Sequence, residues 1–168
     1  PEHAPAWLAM RIVDHWLVEW AVFGDEVPVA AALAVGRRAL ADLGPAPDPR
    51  LAGALDAAQA WVDAPGPAAV EACARALRAA WPGFPPVDPR TGLRARLLEL
   101  FPGVPESLLE RLVFLPVAAP VTAPADPARR AALVGRWLDD AVLAWGTARV
   151  RDAVAEGLLP WALRATGP

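Results

Sequence analysis

Apolar residues recur along this chain at the spacing of a helix with one buried face, almost from end to end. The pattern predicts helices over residues 5–23, 28–43, 50–63, 67–81, 91–101, 105–115, 128–145 and 147–164. No segment alternates apolar and polar positions as a half-buried strand does. Three helix starts are marked by Asp before Pro, at Asp48-Pro49, Asp88-Pro89 and Asp126-Pro127. An Asp oxygen accepts from the first free amides of a helix, and Pro suits the first turn because its missing N–H had no partner there. Breaks are predicted at Gly24, Gly44, Pro65-Gly66-Pro67, Pro82-Gly83, Pro102-Gly103 and Gly146.

The predicted fold is all-α, a single compact bundle over residues 1–168 with about eight short helices arranged as successive αα-hairpins. The similar spacing of the Asp-Pro starts leaves a short α-solenoid-like repeat as the alternative. The side chains that follow the caps share little beyond periodicity, which favours the bundle. Proline at both ends is compatible with a domain that forms one part of a longer protein.

Two places break the amphipathic rule. In the first predicted helix, DHWLVEW at residues 14–20 concentrates a histidine, two carboxylates and two tryptophans. On a helical wheel these separate into two faces. Val13, Trp16, Leu17 and Trp20 lie on one, and Arg11, Asp14, His15 and Glu19 form a charge ladder on the other. Val18 and Val22 fall within the polar arc, so a second covering surface is expected there. The other place is LVFLPVAAPVTAPA, residues 112–125, which is apolar, uncharged and interrupted by Pro116, Pro120 and Pro124. Prolines remove helix donors, so this run is predicted to be an extended loop. It would lie across the bundle as a strap or stay exposed as a docking strip. Val18, Val22, Phe114, Leu115, Val117 and Val121 are therefore the candidate binding residues.

Composition narrows the chemistry. All 16 basic residues are Arg, and the chain has no Lys, Tyr or Asn. That usage follows GC-rich codons and points to a bacterium with a GC-rich genome. Without Lys there is no Schiff base and no P-loop lysine. Cys73 is the only cysteine, so no intrachain disulfide forms, which suits a reducing cytosol. The opening PEHAPAWLAM carries no basic leader or long apolar run, so no signal peptide is expected. No run reaches the roughly 20 apolar residues of a membrane span. Net charge is −3, which gives no general case for nucleic acid; Arg37-Arg38 and Arg90–Arg96 are minor basic patches.

No catalytic constellation stands out. Asp139-Asp140 follows Arg136 at ion-pairing distance on a helix, and the Glu-x-x-His repeats of di-metal bundles are absent. Ser107 lacks flanking elbow glycines and reads as a cap. Cys73 lies on an apolar stripe with Val70, Leu77 and Trp81. No metal and no cofactor are predicted. The stretch ELFPGVPESLLERLV, residues 99–113, resembles the Phe-Pro turn of CUE ubiquitin-binding domains over a small part of the chain. The family's third helix and terminal dileucine have no counterpart here, and no role is carried over.

The reading that results is a cytoplasmic, non-enzymatic protein-interaction module that binds another protein or itself. The alternative is a small-molecule-binding bundle, or an enzyme, with a pocket lined by Trp and Arg. Eight tryptophans and a supply of arginines provide the walls for such a pocket.

Overall fold

The computed structural model describes residues 24–44, 48–82 and 108–165, and every regular element among them is a helix. In chain order these are α1 (Val27–Asp42), α2 (Pro49–Asp63), α3 (Pro67–Ala80), α4 (Leu108–Thr122), α5 (Pro127–Trp145) and α6 (Thr147–Ala165). The predicted helices over 5–23 and 91–101 lie outside the described residues.

Local chemistry sets most of the boundaries. Asp48 and Asp126 cap α2 and α5, accepting from the amides of Arg50 and Arg129 at 2.9 Å in each case. Pro49 and Pro127 occupy the first helical position behind them. Gly146 separates α5 from α6 with φ at 81°, a left-handed conformation that suits glycine.

The order of packing is not that of a linear stack. In a solenoid each unit touches its neighbours in sequence. Here α4 packs against α1, α2, α3 and α5, and α1 also meets α5 and α6. The solenoid-like alternative is therefore set aside for the described residues. The helices form a bundle with α4 in the middle.

This corrects the expectation for residues 112–125. They are not an extended loop; α4 runs through Pro116 and Pro120 to Thr122. Leu112, Val113, Phe114, Leu115 and Val117 are at most 2% exposed, and Val121 is buried as well. A proline inside a helix costs about 3 kcal/mol. Fully burying a large apolar side chain contributes ~1.5–3 kcal/mol as an upper estimate, and six such residues outweigh two prolines. A helix apolar on every side is stable only where it is covered on every side, which is the position α4 holds.

Its neighbours are shaped to accept it. Pro116 has no N–H to offer the Leu112 carbonyl one turn back, and that oxygen looks onto Gly36 of α1. A Cβ at Gly36 would stand 3.0 Å from the Leu112 oxygen and 3.3 Å from Pro116 Cγ. Near the end of α4, the Thr122 hydroxyl donates to the Ala118 carbonyl at 2.6 Å. Phe114 meets Trp81 edge-on, with ring centroids 4.8 Å apart and planes at 79°. On the other side of α1, Ala34 touches the backbone of α6 at Gly157 so closely that a methyl there would collide with it. The small residues of α1 thus let two helices approach it closely.

Candidate functional site

One cleft of about 480 Å³ opens where four chain segments converge. Asp25, just before α1, stands on its rim. Trp61, near the end of α2, and Pro65 and Gly66 of the following turn form one wall. Pro67, Val70 and Glu71 from the first turns of α3 form the next. Pro124, Ala125 and Arg130, from the α4–α5 connection and the start of α5, complete it. Ligand pockets commonly measure ~300–1,000 Å³, so the space is large enough for a small molecule. A second cavity beside Arg37, Gln59 and Gly157 holds only about 80 Å³.

Arg130 is the unusual residue. It is 4% exposed, the one charged side chain buried among the described residues. Its Nη1 donates to the carbonyls of Ala123 and Pro124, the latter at 2.9 Å. Those carbonyls belong to the turn that follows α4, so the guanidinium ties down that turn near the negative end of the helix. The same group lies over the Trp61 ring, 5.1 Å from its centroid. Its Nε is buried and has no hydrogen-bond partner. Burial draws the pKa of Arg130 below the usual guanidinium value, and the carboxylates of Asp25 and Asp126 oppose the drop.

The carboxylates of the cleft differ from each other. Glu71 is drawn outward by Arg75 at 3.7 Å and Arg78 at 3.4 Å on its own helix. Asp25 is exposed, and its charge acts on Arg130. The cleft therefore combines a fixed buried cation, an exposed carboxylate and walls made largely of proline, valine and the indole of Trp61.

The residues singled out from sequence fall elsewhere. Phe114, Leu115, Val117 and Val121 are core side chains of α4 and present no surface to a partner. Val18 and Val22, with the DHWLVEW stretch, lie outside the described residues, as do Ser107 and the Arg90–Arg96 patch. Arg37 and Arg38 are exposed but face carboxylates, Asp56 at 4.0 Å and Glu156 at 3.9 Å, so they form no free basic surface. Asp139 and Asp140 fall on α5, and among the described residues no group of three His, Cys, Asp or Glu converges on a metal site. No described helix is long and apolar enough to cross a membrane. Cys73 is buried; its thiol donates to the Ala57 carbonyl at 3.3 Å, and burial pushes its pKa up to about 11.

Sequence reasoning missed Arg130, although a signal was present. Arg130, Val134 and Leu138 are four residues apart on one stripe of α5, and all three are buried. An arginine in register with an apolar stripe marks a position where charge is held inside. No protein-family model matches the chain, and no curated protein or solved structure matches it either.

Proposed function

We propose that this protein is a small-molecule-binding helical bundle whose ligand occupies the cleft that Trp61 and Arg130 help to line. The observation that carries this reading is Arg130 itself. A buried guanidinium is costly unless its surroundings hold it, and here it is held over an indole in the wall of a cleft. Its Nη1 is held by the Ala123 and Pro124 carbonyls, so the side chain is fixed beside the cleft. The protein-interaction reading is second. The apolar run that motivated it is core, and its other residues, Val18 and Val22, lie outside the described part.

A thermal-shift screen with a broad metabolite panel tests the proposal. A ligand present at 100 times its Kd stabilises a folded protein by about 2.7 kcal/mol. Ala125 is exposed at the cleft mouth, so Ala125→Trp should fill the opening and abolish the shift while leaving the unliganded Tm close to that of the parent. A ligand that shifts both proteins equally binds elsewhere, and a panel that shifts neither removes the reading.

A further inference from the structure

We infer that α6 is an exchangeable element: its junction with α5 is a one-residue hinge at Gly146, and the face of α1 that it covers is also a docking surface for α6 of a second copy of this chain. The inference does not depend on the cleft, which no described residue of α6 lines.

The junction is a helix broken at one position. The Gly146 amide closes the α5 ladder by donating to the Val142 carbonyl at 2.8 Å. The Gly146 carbonyl opens the α6 ladder by accepting from the Val150 amide at 3.3 Å. Both bonds span four residues, as in an uninterrupted α-helix. Between them the dihedrals of Gly146, φ 81° and ψ 154°, redirect the chain. At helical values of φ and ψ the amides of residues 147–149 would donate to the carbonyls of residues 143–145, three helical bonds that the break forfeits. Residues 127–165 would then form one helix of about 60 Å.

The flanking sequence does little else to hold the break. Asp caps open α2 and α5, whereas α6 has no acid in its first turn and carries Arg149 there, the wrong sign for the positive end of a helix. The last turn of α5 has no base to meet its negative end. A continuous helix has neither end at this point. Glycine selects the broken form, because it takes a positive φ at no steric cost and is a poor helix former.

The straight form carries α6 away from its own α1. In the closed form α6 packs on α1 and α5, with Val150, Ala153 and Val154 buried. Apolar surface left bare is unfavourable, and the same face of α1 on a second copy covers it. No new contact has to form. Gly157 meets Ala34, Arg149 meets Asp42 and Glu156 meets Arg38 between copies as they do within one. Exchange of an element between identical copies is a low-cost route to a dimer, and a short connection favours it.

Two experiments test the inference, each on the full chain refolded from guanidinium over a range of concentrations. In the first, light scattering follows Gly146→Ala. Alanine favours a helical backbone over a positive φ, so the variant is expected to turn from monomer to dimer while the parent stays mainly monomeric. A folded, monomeric Gly146→Ala overturns the inference. The second experiment keeps Gly146. Asp42→Arg and Arg149→Asp each place like charges across the α1–α6 contact. When the two variants are refolded together, exchange brings the reversed α6 of one against the reversed α1 of the other and pairs the two unchanged partners. Native mass spectrometry should then show a one-to-one heterodimer enriched about tenfold over either homodimer, the equivalent of ~1.4 kcal/mol spread over two pairs. A mixture that stays monomeric, or that dimerises in statistical proportions, overturns the inference even if Gly146→Ala fails to fold.

Discussion

Cys73 and Arg130 are both reactive groups placed in apolar surroundings, and each is tamed differently. The thiol stays protonated. Its ordinary pKa of 9.0 rises to about 11 because burial disfavours the thiolate. With the folded pKa above the unfolded one, the contribution to stability is complete below about pH 9 and is lost as pH rises toward about 11. At pH 8 the folded protein should not react with Ellman's reagent over minutes, whereas the protein in guanidinium should release one equivalent. Fast reaction of the folded state would show that the thiol is accessible. The guanidinium of Arg130 has no comparable neutral form, so it is held by carbonyls and a ring instead. Cys73 was legible as a buried residue because it stood on a stripe of apolar neighbours. Arg130 stood on such a stripe too, but its charge argued for the surface, and only the carbonyls of Ala123 and Pro124 explain its place. Those carbonyls lie in the turn between α4 and α5, whose path the apolar pattern does not show.

At the scale of elements, the α2 and α5 starts were readable because capping is local. An Asp and a Pro one position apart specify them without reference to the rest of the chain. The α4 helix was not readable for the opposite reason. Its two internal prolines speak against a helix, and burial on every side overrules them. Periodicity also fails there, since a helix covered all round has no polar face to mark the period. The close contact with α1 provides a test. Gly36→Ala adds a methyl 3.0 Å from a backbone carbonyl that cannot swing aside. Alanine is the better helix former by roughly 1 kcal/mol. The collision should outweigh that gain and leave the protein about 1–3 kcal/mol less stable in guanidinium denaturation. A rise in stability would mean that α1 and α4 are not held this tightly.

For the whole molecule, the class was legible and the topology was not. That every described element is a helix follows from periodicity, whereas the central position of α4 follows from which faces remain after the other helices have formed. The distinction between core and docking strip can be measured at Phe114. Truncating a solvent-facing residue of a strip would change stability by less than about 0.5 kcal/mol. Phe114 is 1% exposed and packs edge-on against Trp81, so Phe114→Ala should cost about 3–5 kcal/mol by thermal or chemical denaturation. A near-neutral result would restore the strip. Ion pairs contribute less to this architecture. Arg149–Asp42 and Arg38–Glu156 join α6 to α1 across the surface, and exposed pairs of this kind contribute ~0.2–1 kcal/mol each.

The central position of α4 also bears on how the chain is made. A ribosome releases α1, α2 and α3 before it has synthesised the helix against which all three pack. Translation proceeds at roughly 5–20 residues per second, so their inner faces wait on the order of seconds for residues 108–122. Contacts between segments so far apart in sequence also close slowly once both are present. During that interval the nascent chain carries uncovered apolar surface. Its yield in a cell therefore depends on the holding capacity of chaperones as well as on the stability of the finished bundle.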